Sequence, residues 1–83
     1  MIVSIKYNEE KLFTSIVQEC RKGKFIYILC EDKKAMLLMK KFLKTFKIPK
    51  KRGIYMWKGI IVLSSYIEKE FTKYFDNIIK VDI

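Results

Sequence analysis

The chain has 83 residues, of which 51% are apolar and 14% aromatic, and its formal net charge at pH 7 is +9. This length allows one domain, and this composition is typical of a globular chain with a buried core, which excludes a disordered one. No apolar run approaches the ~20 residues of a membrane span, and the chain does not begin with the pattern of a signal peptide. We therefore predict a single α/β domain over residues 1–83, located in the cytoplasm.

The first third of the chain has the pattern of a strand, a helix and a second strand. Residues 2–6 are alternating and β-branched, which predicts a strand. Asn8 is a suitable N-cap for a helix whose apolar face runs to Cys20 and which is expected to stop at Gly23. The continuous apolar run Phe25 to Cys30 predicts a central strand that is covered on both faces.

The following segment predicts an amphipathic helix that is capped by Asp32 and stopped by Pro49. Its apolar face consists of Ala35, Leu38, Met39, Phe42 and Phe46, with Met36 and Leu43 beside them. Its other face carries six lysines and Leu37. This division into two faces is the pattern of a helix that packs on one side only.

The rest of the chain predicts a basic loop, a hairpin, a third helix and a last strand. The loop is Lys50 to Gly53, and the hairpin strands are Ile54–Trp57 and Ile60–Leu63, joined by a Lys58–Gly59 turn. Ser65 and Glu68 have the spacing of a capping box, which would start a helix running to Ile78. Residues 80–83 then predict a short strand at a sheet edge.

The resulting order, β-α-β-α-β-β-α-β, predicts a small Rossmann-like α/β sandwich of two or three layers. Its sheet is expected to be mostly parallel, with one hairpin strand running the other way.

One stretch, Lys33 to Ile67, concentrates the positive charge of the chain. It contains ten basic residues and no Asp or Glu, whereas the segments before and after it are nearly balanced in charge. A solvated helix face usually mixes charges of both signs. An acid-free basic surface favours a polyanion or an acidic protein as the partner, although a surface that only keeps the protein soluble is equally compatible with this pattern.

From this stretch we predict a non-enzymatic protein that binds DNA or RNA without a cofactor or metal. Lysines and an arginine would meet phosphates, and an aromatic side chain would stack on bases if it is exposed. At least one of Tyr55 and Trp57 is expected in the core instead. The candidate residues are Lys40, Lys44, Lys47, Lys50, Lys51, Arg52, Tyr55, Trp57 and Lys58.

Two other functions remain open at this level. A small accessory protein of a virus or mobile element could use the basic face to bind an acidic host protein, and exposed Leu37 or the last strand would allow a homodimer or strand addition. A metal-dependent phosphoryl-transfer enzyme would use Glu31 and Asp32 at a strand end. Helix capping explains these acids better, and without histidine neither the serines nor the cysteines have the usual catalytic base.

The segment Lys24 to Phe46 (KFIYILCEDKKAMLLMKKFLKTF) resembles the strand and helix that open the second RecA-like domain of superfamily-2 helicases. The strand ending at Glu31 is also similar to that of Toprim-type domains. The arginine-bearing helicase motifs and the second acidic pair of Toprim domains are missing from this chain. The resemblance therefore implies a Rossmann-like topology and no activity.

Overall fold

A computed structural model describes residues 2–22 and 25–83, so the helix stop expected at Gly23 lies outside the described residues. The structure is a small α/β domain with six strands, two α-helices and one 3-10 helix. The strands are β1 (Ile2–Lys6), β2 (Phe25–Leu29), β3 (Lys50–Lys51), β4 (Ile54–Met56), β5 (Ile60–Ser64) and β6 (Ile78–Asp82). The α-helices are α1 (Glu9–Arg21) and α2 (Lys33–Thr45), and the 3-10 helix is Lys69–Tyr74.

The six strands form one mixed sheet in the order β1-β6-β2-β5-β4-β3. Neighbours among β1, β6, β2 and β5 are parallel, whereas β4 pairs antiparallel with β5, and β3 antiparallel with β4. β2 lies in the interior of the sheet, as its uninterrupted apolar sequence predicted.

The N-caps predicted for the two α-helices are present in the structure. Asn8 Oδ1 accepts a hydrogen bond from the backbone N–H of Lys11 at 3.0 Å, which starts α1. Asp32 Oδ1 accepts one from the backbone N–H of Lys34 at 2.7 Å, which starts α2. Each bond satisfies a donor that the first helical turn leaves without a partner.

Both α-helices pack on the same face of the sheet and enclose the main core. α1 contributes Leu12, Ile16 and Cys20, and α2 contributes an apolar stripe that includes Met39 and Phe42. β2 supplies Ile26 and Ile28 from below, Cys30 follows directly after this strand, and β5 and β6 add further side chains. Because α2 buries only this stripe, its lysines lie on the solvent side.

The opposite face of the sheet is covered only in part, by the chain between β5 and β6. Tyr27, Leu29 and Ile78 form a second, smaller core there, against which Ile67 and Phe75 pack. The Tyr27 hydroxyl donates a hydrogen bond to the Tyr66 carbonyl at 2.7 Å, which ties this segment to the sheet.

The prediction of a third α-helix is wrong. Only Lys69–Tyr74 is helical, it is a 3-10 helix, and none of its residues is buried. The capping box predicted from Ser65 and Glu68 does not form: the helix starts later, with Glu68 itself at the N-cap position and without a side-chain cap bond. The neighbouring Ser64 hydroxyl donates to the Tyr66 carbonyl and accepts from the Tyr66 backbone N–H. The segment between β5 and β6 therefore crosses the sheet with little regular structure, and its apolar residues Ile67 and Phe75 pack against the second core.

The prediction of an edge strand at residues 80–83 is also wrong. β6 lies between β1 and β2 and pairs with both of them. The physical reason is that Ile78 and Ile79 are buried on opposite faces, with Val81 beside Ile79, and a strand that is apolar on both faces needs cover on both. The free edge on this side of the sheet is β1.

The predicted hairpin is present with different limits. β4 ends at Met56 and β5 begins at Ile60, so the connection consists of Trp57, Lys58 and Gly59. The backbone N–H of Trp57 donates to the Gly59 carbonyl at 3.0 Å. The basic loop predicted before it is in part a strand, because Lys50 and Lys51 pair with β4.

Candidate nucleic-acid interface

The solvent side of α2 carries the first group of candidate residues. Lys40 and Lys44 lie one turn apart on α2, about 6 Å along its axis at 1.5 Å of rise per residue. Lys47 follows two residues after the last helical residue, and all three lysines are exposed. A phosphate backbone could follow these charges.

Lys47 ends α2 in a Schellman motif. Its own N–H donates to the Lys44 carbonyl at 3.0 Å, and the Ile48 N–H donates to the Leu43 carbonyl at 3.0 Å. Ile48 and Leu43 are both buried, which supplies the apolar contact that accompanies this motif. Lys47 itself is left-handed, with φ of 54°, at the position where glycine is the usual residue.

The next two basic turns have the same unusual backbone. Arg52 and Gly53, with φ of 52° and 81°, form the tight connection between β3 and β4. Two consecutive positive φ values are the mark of a type I′ hairpin turn, which favours Asn-Gly over Arg-Gly. Lys58, in the β4–β5 connection, has φ of 56°. Among the described residues, the non-glycine positions with positive φ are Lys47, Arg52 and Lys58, and all three are candidate cations.

Lys40 and Lys50 lie on the same side of the molecule, whereas Lys51 lies on the opposite face of the sheet. Lys40 and Lys50 line one open cleft of about 300 Å³, together with Met36 and Tyr55. Lys50 Nζ lies 5.4 Å from the centre of the Tyr55 ring, which is within the range of a cation–π contact. Lys51 pairs with Ile54 and therefore projects from the opposite face of the sheet.

The two candidate aromatic residues differ in exposure. Tyr55 is 9% exposed and belongs to the core, which confirms that at least one of the pair is buried and leaves little of its ring for a base. Trp57 is only partly buried and packs at the margin of the same core. Its indole is the candidate with an accessible surface.

Trp57 belongs to a group of aromatic rings that sequence reasoning missed. The Phe13 ring centre lies 6.3 Å from that of Trp57 and 4.9 Å from that of Phe46, and both phenylalanines are 39% exposed. We call Phe13, Phe46 and Trp57 the aromatic cluster. Both phenylalanines follow the apolar spacing of their helices, so the sequence indicated core positions for them.

The aromatic cluster and the cleft lie at opposite ends of α2. The cleft includes Ser64 and Ser65, at the end of β5. The backbone N–H of Trp57 instead bonds the carbonyl of Gly59, just before β5 begins. Lys47 and Lys58 directly follow two members of the aromatic cluster in the sequence. The candidate interface thus has cations along α2 and exposed rings at the helix end.

The acidic residues considered for metal binding have other partners. Glu31 Oε1 forms an ion pair with Lys80 Nζ at 3.1 Å, and the hydrogen bond to Glu31 raises the pKa of Lys80. Asp32 caps α2. Within residues 2–22 and 25–83, no group of three or more metal-ligating side chains comes together.

The two cysteines are free thiols and both are buried, as expected. Burial raises the pKa of the Cys30 thiol to about 11, so it is protonated near neutral pH. A thiol in this state is a poor nucleophile. In the part of the chain that the structure describes, no helix is long and apolar enough to cross a membrane.

Comparison with protein-family models, with curated proteins and with solved structures finds no match for this chain.

Proposed function

We propose that this protein binds nucleic acid, without catalysing a reaction on it, through α2, the β3–β4 hairpin and the aromatic cluster. The observation that carries the proposal is the placement of the acid-free segment on one continuous unit of the fold. Ion pairs within the described residues engage Lys22 and Lys80, and none engages the candidate cations. These charges are therefore available to phosphates.

The exposed rings of the aromatic cluster favour single-stranded nucleic acid over a duplex. Bases of a single strand can stack on an aromatic ring, which contributes about 1–3 kcal/mol per base with little dependence on sequence. Trp57 and the exposed edges of Phe13 and Phe46 offer such a surface beside Lys47 and Lys58. Cations along α2 would then hold the adjoining phosphates.

The test is a fluorescence anisotropy titration with labelled single-stranded and duplex DNA and RNA, repeated from low to physiological salt. We expect an affinity that falls steeply with salt, because each phosphate contact releases counterions. Replacing Lys50, Lys51 and Arg52 by Glu should abolish binding. The matched control replaces Lys11, Lys69 and Lys73 by Glu, which changes the net charge equally at exposed positions outside the interface.

Equal affinity of the two triple variants would refute the proposed site, since net charge alone would then explain binding. The stacking contact has its own readout, because Trp57 is the single tryptophan of the chain. Its fluorescence should be quenched by unlabelled single strands and much less by a duplex. Unchanged fluorescence at saturation would remove Trp57 from the interface.

A second candidate function is that of a protein-interaction module, such as a viral or mobile-element accessory protein that binds an acidic partner. It is favoured by apolar side chains on the sheet face opposite the helices, where Ile54 is 43% and Met56 47% exposed beside Lys51. Capture of a defined acidic protein, together with no binding of nucleic acid at low salt, would select this function.

The three parallel strand pairs support a Rossmann-like topology for this part of the sheet. The two antiparallel pairs extend the sheet by β4 and β3. A cytoplasmic location belongs to the same proposal, because nucleic acid would be accessible there.

A further inference from the structure

The two edges of the sheet differ in how well they are protected. β3, at one edge, has two residues, both lysine, and these features discourage pairing with another strand. β1, at the other edge, has five residues with the sequence IVSIK and a single charge. Ile2 is 48% and Val3 41% exposed, and no strand among the described residues covers their outer side.

The backbone of β1 presents a defined set of hydrogen-bonding groups to solvent. The Tyr7 N–H donates to the Asp82 carbonyl of β6 at 2.7 Å. Along a strand, alternate residues direct their backbone N–H and C=O to the same side, so those of Val3 and Ile5 also point toward β6. Ile2, Ser4 and Lys6 therefore turn theirs outward. Three alternate residues of β1 thus offer both an N–H and a C=O to a further strand.

We propose that this edge pairs with β1 of a second copy of the chain, antiparallel and about a two-fold axis at Ser4, so that the two sheets become one. In this register Ser4 faces Ser4 of the second copy, and Ile2 faces Lys6. These are the outward-facing residues, and each such pair exchanges two backbone hydrogen bonds. Val3 then lies beside Ile5 on the helix side, a β-branched cross-strand pair that covers exposed apolar surface.

The charge distribution favours a second copy over an unrelated strand and also selects the register. The basic surface lies near the opposite edge, so two chains of net charge +9 can meet here with little repulsion. The groove between β1 and α1 is lined by Lys6, Glu10 and Lys11, so each copy presents charges of both signs that can complement those of the other. A register centred on Lys6 would place two lysines opposite each other and is disfavoured.

The test measures the mass in solution by light scattering across a concentration series, with wild-type protein and three variants at Ser4. Wild type should reach twice the 10.0 kDa chain mass. Ser4→Pro removes only an outward N–H, which an edge strand tolerates, so it should be monomeric with an unchanged circular dichroism spectrum. Val3→Pro, whose N–H faces β6, is the control for damage to the fold.

Charge complementation tests the register directly. Ser4→Lys and Ser4→Glu should each be monomeric, because like charges then face each other across the axis. Their mixture should form a heterodimer, since the two new charges are opposite and adjacent. A wild type that stays monomeric at about 100 µM, a range in which weak specific interfaces are occupied, would overturn the proposal. A Ser4→Pro dimer, or a mixture that fails to associate, would overturn it as well.

Discussion

Replacing Lys47 by glycine should make this protein more stable. The backbone at Lys47 is left-handed, with φ of 54°, and both hydrogen bonds of the Schellman motif depend on that conformation. A side chain in this region costs roughly 1–2 kcal/mol relative to a right-handed residue. Glycine avoids this cost but loses more backbone entropy on folding, roughly 0.5–1 kcal/mol. The net expectation is a gain of about 0.5–1 kcal/mol in the free energy of unfolding.

For a domain of this size, 1 kcal/mol corresponds to about 4–8 °C in Tm, so Lys47→Gly should melt about 2–8 °C higher. The matched control is Lys44→Gly, which removes the same charge one turn earlier. Lys44 lies inside α2 in a right-handed conformation, so glycine there should cost about 1 kcal/mol.

Urea unfolding and thermal melts of the two variants separate the backbone effect from the charge effect. Repulsion among cations is relieved equally in both, so their difference reports the backbone alone. If the two variants lost stability equally, the left-handed conformation of Lys47 would contribute no strain and the reasoning would be wrong. Both variants should bind nucleic acid more weakly by similar factors, since each removes one of the proposed phosphate contacts.

Three further outcomes follow from other contacts. Tyr27→Phe removes the hydroxyl that donates to the Tyr66 carbonyl at 2.7 Å, which should lower the free energy of unfolding in urea by about 1 kcal/mol. The Cys30 thiol should react slowly with a disulfide reagent at pH 8 until the protein unfolds; because its pKa is about 11 in the fold against the ordinary 9.0, stability should fall as pH rises from 9.0 toward about 11. Ser4→Pro should weaken binding to long nucleic acid while leaving short oligonucleotides unaffected, because only a dimer engages a long strand at two sites.

The local elements were predictable because their signals are local. Asn8 and Asp32 cap their helices as their sequence context indicated, since a cap depends on residues within one turn. β2 was predictable as an interior strand, because six consecutive apolar residues have no solvent-facing alternative. The lysine face of α2 follows directly from the helical spacing of its apolar residues.

The order of the strands could not be predicted in the same way, because pairing is a long-range property. β6 inserts between β1 and β2, although it is the last strand of the chain. One signal was available: Ile78, Ile79 and Val81 make the end of the chain apolar on both faces, which is unusual for an edge. The segment before it has aromatic residues at helical spacing, but they serve as separate anchors, such as Phe75, whose ring centre lies 5.0 Å from that of Tyr27.

The charged residues of the candidate site could be identified from the sequence, but the exposure of its aromatic residues could not. Phe13 and Phe46 have the spacing of core residues, yet each lies at the margin of the helix layer and remains 39% exposed. Periodicity identifies the buried side of a helix but not where that side extends past the sheet. The aromatic cluster could therefore be recognised only once the two helices were placed on the same face.

The positions where local preference fails coincide with the candidate site. Turn positions with positive φ favour glycine or asparagine, and the chain has Lys47, Arg52 and Lys58 there. Each costs stability that glycine would recover in part, and each adds an exposed cation at a turn beside α2 or the hairpin. Departures from local preference are expected where a residue serves binding rather than folding. If Lys47→Gly stabilises the fold and weakens binding together, the same residue carries both the strain and the contact, and simple solubility no longer explains the charge.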